Sequence, residues 1–434
     1  MAPRITHLHA IVALGLVVRL AVALVYPEEL TDSREYRELG HNVLQHGVFT
    51  RFPIPDAGPE HAPRLDPEIL RTPAYPLFLA GIEATLGRSL KAVTIVQAFL
   101  GTLNIWLIVL IASRFVARPI ALSSGLLLAI HPLAITFCRF PMTETVFNSL
   151  LLGAALLVLR MEDGEERLFP RRAVAVGLTL GLLALVRSQG VIFLALFGVV
   201  HWIRQPSTVS LRRWAVVLAT AAIVFIPWTV RNAEVIGHPT PFGVGLWQNL
   251  WQASIPYEIG NEWDTTALVS PEAQAALGQA NPDELDGVFR SMAIDQVKSD
   301  PTGTLLQRLR RYPYTWINST FYLPSPVIGE ASRSLSDLAA NAHWGWFFVK
   351  IGALGLFCVL PVALVPWGLM GLSARDGIFL VTVPATVAAV HFFLGICEYR
   401  YSLPALPFLA VLSAVALHGC PRVGPGVERL LYRR

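Results

Sequence analysis

Charged residues are scarce in this chain: they make up 15% of its 434 residues, while hydrophobic residues make up 54%. Because a soluble domain usually carries about 25% charged residues, this composition excludes an ordinary soluble domain and indicates a chain that lies in lipid. The four cysteines form no C-x-x-C pair and have no metal-ligand spacing, which argues against a zinc site. No basic stripe alternates with aromatic residues, so nucleic acid is not an expected partner.

Long apolar runs, by contrast, are abundant, and a spanning helix needs about 20 mostly apolar residues. Lipid requires a backbone that satisfies its own hydrogen bonds, and the runs are too long for barrel strands. The sequence therefore predicts an all-α integral membrane protein, a polytopic bundle of about ten transmembrane helices. These predicted spans are 8–26, 91–113, 119–137, 144–160, 173–187, 190–203, 214–230, 345–370, 377–394 and 402–418. The first is expected to be a retained span rather than a cleaved signal.

The distribution of arginine predicts the orientation. Short connections after 91–113, 144–160 and 190–203 hold several arginines, whereas the alternate turns hold one each. Arginine-rich connections are cytoplasmic, so we expect both termini in the cytoplasm of a multi-pass plasma-membrane protein. The long loops 27–90 and 231–344 then face the periplasm or exterior.

The predicted spans divide the chain into three regions. Residues 1–230 form an N-terminal membrane module that carries the first outer loop. Residues 231–344 form an outward insert with an interfacial helix from Leu305, and residues 345–434 hold the last spans and a cytoplasmic tail. No repeat with a period of 20–50 residues is visible.

The most polar stretch, Thr31 to Gly81, directly follows the first apolar run. Its start fits a capping box, with Asp32 as the cap and Glu35 three residues later, and it predicts a short helix on the membrane surface. A cap alone does not explain why Tyr36 and Arg71 accompany Asp32. The segment from Tyr75 to Leu86 is too short to span, so it predicts a second surface or re-entrant helix.

Several polar residues have two interpretations each. Arg19 lies inside the first apolar run, where it either finds a polar partner or snorkels to the surface. Glu144 either caps the next helix or belongs to an outer-face site. Glu398 and Arg400 either form an ion pair that fixes their turn, or Arg400 reaches a bound phosphate. His131 and Pro132 predict a kink.

Four outward motifs occur in order: D-x-x-E-Y at 32–36, R-T-P-A-Y-P at 71–76, T-E at 143–144 and E-Y-R-Y-x-x-P-x-x-P at 398–407, with R-N at 231–232. This set resembles the family-39-like membrane glycosyltransferases of the GT-C fold, which include the protein O-mannosyltransferases and the aminoarabinose transferases that modify lipid A. The resemblance extends from about residue 8 to residue 418 and is weakest in the insert. Ala74 departs from the glycine of many relatives.

The resemblance implies a GT-C-like helix bundle with outward juxtamembrane helices. It also implies an inverting transfer of a sugar from a polyprenyl phosphate to a hydroxyl of a lipid, glycan or protein at the outer face. It gives Asp32 and Glu144 as catalytic acids and Arg71 as a phosphate contact. The candidate donor and substrate residues are Glu35, Tyr36, Arg71, Tyr75, Arg231, Glu398, Arg400 and Tyr401.

The chemistry of the transfer agrees with these residue types. A carboxylate can accept the proton of the hydroxyl, and arginine suits the departing phosphate. Tyr36, Tyr75 and Trp247 are candidates to line the sugar site. The resemblance leaves a divalent cation open, since other GT-C enzymes use one, and nothing in the sequence requires it. The alternative function is a secondary transporter or a flippase of lipid-linked sugars, which would place ionisable groups near the bilayer midplane.

Overall fold

The computed structural model describes residues 6–55, 66–163, 169–237, 239–243, 245–254, 282–317, 335–340, 343–395, 397 and 399–419. Throughout these ranges the regular structure is helical, without a strand. Six helices are long and apolar enough to cross a membrane, or seven if one bent pair counts as a single span. The predicted all-α, polytopic membrane architecture is thus confirmed, while the number of ten spans stays a prediction.

The first half of the described chain contains four of the six helices that are long and apolar enough to cross a membrane, the bent pair and several other helices. They are α1 (Thr6–Val25), α2 (Thr31–His46), α3 (Ala74–Leu86), α4 (Leu90–Ala112), α5 (Arg118–Ala129), α6 (Pro132–Thr136), α7 (Thr143–Met161), α8 (Phe169–Val186), α9 (Gly190–Arg204) and α10 (Thr208–Ile236). α4 packs against α1, α5 and α7, and α8 lies between α7 and α10. Large apolar side chains such as Ile105, Ile108 and Phe147 are fully buried between them.

The second half begins with polar and amphipathic helices and ends with apolar ones. They are α11 (Leu246–Ser254), α12 (Pro282–Ser299), α13 (Pro301–Arg311), α14 (Leu335–Ala340), α15 (Trp344–Leu354), α16 (Leu360–Ala363), α17 (Val365–Met370), α18 (Ala374–Leu394) and α19 (Leu406–Leu417). The predicted span 345–370 contains a continuous span-length helix, Trp344–Ala363, in which a π-helical turn at Gly355–Val359 joins α15 to α16. α19 returns to the first half and packs against α5.

The predicted kink at His131 and Pro132 is confirmed, because the chain bends by 58° between Arg118–Ala129 and Pro132–Arg139. Pro132 has no N–H to offer the carbonyl of Leu128. Arg19 supplies donors instead: its guanidinium bonds the carbonyls of Leu128 at 3.0 Å and Ala129 at 3.1 Å. Arg19 is completely buried, so the structure supports the polar-partner interpretation and not snorkelling.

Helix α2 and the short helix α3 pack closely. A Cβ on Gly40 would lie 2.7 Å from the carbonyl oxygen of Pro76, so glycine is what lets the two backbones approach. The N-cap residue of α2 is Leu30, and no side chain caps the helix. The interpretation of Asp32 as an N-cap is therefore wrong: Asp32 lies inside the first turn, and its carboxylate points to other partners.

Candidate active site

Asp32 is held between two arginines from distant parts of the chain. Arg71, just before α3, donates from Nη2 to Oδ1 at 2.8 Å. Arg400, in the 3₁₀ turn before α19, donates from Nη1 to Oδ2 at 3.0 Å. Each carboxylate oxygen thus receives one charge-assisted hydrogen bond. Helix α2 positions Asp32 for this, since the first helical turn projects the side chain beyond the end of the helix.

Arg71 has a second set of contacts on α2. The same Nη2 also donates to Oε2 of Glu35 at 2.8 Å, and Nη1 donates to the hydroxyl of Tyr36 at 3.3 Å. The guanidinium carbon lies 5.0 Å from the centre of the Tyr36 ring, within the range of a cation–π contact. Residues 32, 35 and 36 share one face of α2 because positions three and four apart are neighbours on a helix.

Burial and charge act in opposite directions on this group. Burial raises the pKa of Asp32, but Arg71 and Arg400 outweigh it and hold that pKa below its usual value of 3.8. Burial likewise disfavours a charged Arg71, yet Tyr36, Asp32 and Glu35 raise its pKa above the usual value. Burial raises the pKa of Tyr36. At neutral pH the site therefore contains a charged carboxylate, charged guanidiniums and a neutral phenol.

A buried carboxylate fixes the backbone that carries Arg71. Oε1 of Glu68 accepts the N–H groups of Leu70 at 2.6 Å and of Arg71 at 3.1 Å. Arg51 bridges Glu68 to Glu35, with distances of 3.5 Å to each carboxylate. The charges consequently alternate along one chain of side chains. In order, they are Arg400, Asp32, Arg71, Glu35, Arg51 and Glu68.

A second, deeper ion pair contains Glu144. The N-cap of α7 is Met142, again without a side-chain cap, so the interpretation of Glu144 as only a helix cap is wrong. Its side chain is almost fully buried, and Oε1 accepts a hydrogen bond of 2.8 Å from Nη1 of Arg187. The Arg187 guanidinium lies 5.2 Å from the centre of the Tyr401 ring. The centre of the Tyr401 ring also lies 5.2 Å from the guanidinium carbon of Arg400, so Tyr401 connects the two ion pairs.

A small cavity adjoins Glu144. It is large enough to hold one water molecule. Polar groups line it from α1, α4 and α7: Arg19, Asn104, Glu144, Thr145 and Asn148. The cavity therefore lies between Arg19 of α1 and Glu144 of α7.

Three predicted substrate residues lie outside the Asp32 cluster. Tyr75 is completely buried and donates its hydroxyl to Gln97 at 2.8 Å, with its ring 5.2 Å from the ring of Tyr36, so it supports the site from behind. Trp247 packs in a separate apolar cluster around Trp251. Arg231 lies on the Trp228 ring and bonds its neighbour, the side chain of Asn232. Glu398 lies outside the described residues.

The residues around Asp32 do not fit a divalent cation. Hard cations prefer several free oxygen ligands, whereas the carboxylates of Asp32 and Glu35 are bonded to arginines. Over the described ranges no three His, Cys, Asp or Glu residues are grouped to hold a metal.

Sequence reasoning missed the supporting residues Arg51, Glu68 and Arg187. Arg51 and Glu68 lie in the long loop 27–90, and Arg187 is the single arginine of a short turn. One signal was available for Arg187: an arginine at the outer end of a predicted span stands opposite Glu144 if the two helices are neighbours. The sequence does not say which helices are neighbours.

Residues 70–230 match the family described as dolichyl-phosphate-mannose-protein mannosyltransferase. The match covers less than half of the chain, and it includes Arg71, Glu144 and Arg187 but not Asp32. No curated protein matches the chain.

Solved structures match nearly the whole chain. The oligosaccharyltransferase of Archaeoglobus fulgidus in the apo form has a TM-score of 0.56 at 14% identity, covering 96% of this chain and 50% of that one. The same organism's AglB, in complex with an inhibitory peptide and a dolichol-phosphate, has a TM-score of 0.53 at 12% identity, covering 95% and 50%. ArnT from Cupriavidus metallidurans bound to undecaprenyl phosphate has a TM-score of 0.45 at 15% identity, covering 94% and 77%.

The chain thus spans about half the length of the archaeal structures that it matches. At these identities the likeness shows the fold, and that fold is the GT-C fold expected from the four outward motifs. The predicted resemblance to GT-C membrane glycosyltransferases is confirmed.

Proposed function

We propose that this protein is an inverting glycosyltransferase that moves a sugar from a polyprenyl-phosphate donor to a hydroxyl acceptor. The observation that carries the proposal is the carboxylate of Asp32 held between Arg71 and Arg400 at 2.8 and 3.0 Å. Two further findings support it. The family that matches residues 70–230 is named for a lipid-phosphate sugar, and the AglB structure of the same fold contains a dolichol-phosphate.

The charge of the site suits a lipid phosphate. The alternating chain from Arg400 to Glu68 holds equal numbers of arginines and carboxylates. Arg231 lies within electrostatic range of Glu68 and adds one positive charge. A sugar phosphodiester carries one negative charge, so the donor would balance the excess. Guanidinium groups bind phosphate through paired hydrogen bonds, and this is stronger where water is excluded.

The proposed reaction has one step. The acceptor oxygen forms a bond to the anomeric carbon, the bond from that carbon to the phosphate oxygen breaks, and its electron pair leaves with the lipid phosphate. Asp32 accepts the proton of the hydroxyl. Such a base contributes about 10²–10⁴-fold to the rate. The phosphate leaves as a stable anion, so no acid is required.

The arrangement of Asp32 couples these events. In the resting site both arginines lower its pKa, which makes it a weak base. A donor phosphate that draws Arg71 and Arg400 toward itself removes that stabilisation, and the pKa of Asp32 then rises. Binding of the donor thereby prepares the base, and the two arginines neutralise the charge that grows on the phosphate.

The remaining predicted residues receive supporting roles in this proposal. Glu144 orients Arg187 beneath Tyr401, and Tyr401 with Tyr36 forms the aromatic wall against which a sugar would lie. Arg231 and Glu398 are proposed to act at the edge of the donor site. The reaction is proposed to occur at the outer face of the plasma membrane, with both termini in the cytoplasm, as the distribution of arginine predicts.

The test uses the purified full chain in liposomes. We expect sugar to move from a polyprenyl-phosphate-linked sugar to a cell-envelope acceptor, detected by mass spectrometry, and the Asp32→Asn variant to lack this transfer. Envelope glycans of cells without the gene should lose one sugar. A protein that instead carries labelled polyprenyl-phosphate sugar across the liposome bilayer, with no transfer, would be a flippase and would overturn the proposal.

A further inference from the structure

One short sequence pattern occurs twice in the chain, at the ends of α2 and α10. It reads N-x₄-G-x₂-T-x-F: NVLQHGVFTRF from Asn42 and NAEVIGHPTPF from Asn232. In both copies the glycine ends the helix in the left-handed conformation, with φ of 68° at Gly47 and 78° at Gly237. The two copies are 190 positions apart along the chain and end two different helices. The pattern in one copy is therefore not a consequence of the helix before the other copy.

Both copies fold into the same turn. Nδ2 of Asn42 donates to the carbonyls of Thr50 at 2.7 Å and Phe52 at 2.9 Å. Nδ2 of Asn232 donates to the carbonyls of Thr240 at 2.8 Å and Phe242 at 3.3 Å. In each, the threonine hydroxyl accepts the N–H of the phenylalanine. Both asparagines are buried. We call these the first and the second asparagine turn.

The two turns converge on the backbone before Arg71. In the first turn, the hydroxyl of Thr50 donates to the carbonyl of Asp66 at 2.8 Å, and the carbonyl of Phe49 accepts the N–H of Glu68 at 2.9 Å. The ring of Phe49 also packs on Trp228 of α10, with centroids 4.8 Å apart. The first turn therefore holds Glu68, whose carboxylate in turn holds the N–H of Arg71.

The second turn contacts the next residues of the same segment, Ile69 and Leu70, through Gly243. A Cβ on Gly243 would lie 2.3 Å from the carbonyl oxygen of Leu70 and 2.7 Å from that of Ile69. Such distances essentially do not occur, so any side chain would displace the backbone of residues 69 and 70. A Cβ on Gly245, two residues later, would meet only the Leu70 side chain at 3.8 Å, an ordinary contact.

We propose that the second asparagine turn, through the close approach of Gly243, is a positioning device for Arg71. The turn lies against the peptide of Leu70. Glu68 accepts hydrogen bonds from the N–H groups of Leu70 and Arg71. Together these contacts orient the guanidinium of Arg71 toward Asp32. The role of Arg71 in binding a lipid phosphate rests on the proposed function, but the mechanical coupling does not.

Hydrogen exchange tests the coupling without any ligand. In the full chain in nanodiscs, Gly243→Ala should speed exchange at the amides of Leu70 and Arg71 by about two- to tenfold, the factor for losing one hydrogen bond. Gly245→Ala is the matched control and should leave these amides unchanged. If Gly243→Ala does not fold, Thr240→Val, which removes the hydroxyl that accepts the Phe242 N–H, should give the same increase. Unchanged exchange in the folded variant would overturn the proposal.

Binding of undecaprenyl phosphate tests the consequence for the site. Gly243→Ala should weaken it by about two- to tenfold in the wild-type background and should have no further effect in the Arg71→Ala background, because the change acts through that residue. A purely structural defect would weaken binding equally in both backgrounds and would overturn the proposal. Faster exchange combined with no binding by the wild type would contradict the proposed function and leave the positioning role established.

Discussion

Asp32 and Arg400 are 368 positions apart in the sequence and are joined by a hydrogen bond of 3.0 Å. This contact connects α2 to the 3₁₀ turn before α19. Arg71 occupies the other oxygen of the same carboxylate. The carboxylate of Asp32 thus joins three segments of the chain: α2, the residues just before α3 and the turn before α19.

The first prediction concerns Asp32 as the base. Asp32→Asn keeps the size of the side chain and removes its proton acceptor, so turnover should fall by at least about a hundredfold. Binding of undecaprenyl phosphate should persist, since Arg71 and Arg400 remain. The control is Asp163→Asn. Asp163 pairs with Arg114 and follows the C-terminal end of α7, whereas Glu144 lies at the N-terminal end of that helix. Near-normal turnover of Asp32→Asn would exclude the base role.

The second prediction separates the charge of Arg71 from its geometry. Arg71→Lys keeps a positive charge but loses the planar pair of donors. Affinity for undecaprenyl phosphate, measured by competition, should therefore decrease in the order wild type, Arg71→Lys, Arg71→Ala. Arg88→Ala removes an exposed arginine that pairs with Glu38 on α2 and should bind normally. Equal affinity in all the Arg71 proteins would show that this residue does not contact the phosphate.

The third prediction concerns Arg71 and Arg400 together. Arg400→Ala should lower turnover at saturating donor, since it removes one of the two groups that neutralise the leaving phosphate. Because both arginines act on the same carboxylate, the double variant should lose less than the product of the two single losses. The measurement is a double-mutant cycle on turnover. Strict additivity, or reduced expression with normal specific activity, would favour a structural role for Arg400.

The fourth prediction follows from the pKa of Asp32. Burial raises this pKa, but Arg71 and Arg400 lower it by more, so it lies below 3.8. A carboxyl whose pKa is lowered by folding stabilises the native state above its unfolded-state pKa, and the contribution is lost as pH falls through the folded-state pKa.

The stability difference between wild type and Asp32→Asn should therefore be constant from about pH 5 to pH 8 and should shrink only at more acidic pH. Thermal unfolding in detergent at a series of pH values measures this difference. A difference that already shrinks near neutral pH would mean that the two arginines do not lower the pKa of Asp32.

The fifth prediction tests whether Tyr75 stabilises the structure around the site or contacts the sugar. Its hydroxyl bonds Gln97, and its ring lies against Tyr36. Tyr75→Phe should reduce the free energy of unfolding by about 1–3 kcal/mol, because the buried Oε1 of Gln97 loses its hydrogen bond, with turnover almost unchanged. Tyr36→Phe, which removes a hydroxyl that Arg71 contacts, should affect donor affinity more. Loss of turnover in Tyr75→Phe with unchanged stability would restore Tyr75 as a sugar contact.

Much of the fold could be predicted from the sequence, since it depends on local composition. The apolar runs require helices in lipid, whichever helices surround them. The kink at Pro132 follows from a missing N–H, and the helical segment after Tyr75 follows from local pattern. The set Asp32, Glu35, Tyr36 and Arg71 could be proposed because the motifs at 32–36 and 71–76 resemble those of GT-C glycosyltransferases.

Only the tertiary structure decided which charges meet. It pairs Arg400 with Asp32 and Arg187 with Glu144, gives Arg19 the carbonyls of Leu128 and Ala129, and removes Trp247 from the Asp32 cluster. It also showed that Asp32 and Glu144 are not helix caps. The physical reason is that a hydrogen bond between side chains depends on which helices are neighbours and how they are rotated. The hydropathy of the sequence gives neither the neighbours nor the rotation of a helix, because every spanning helix has to be apolar.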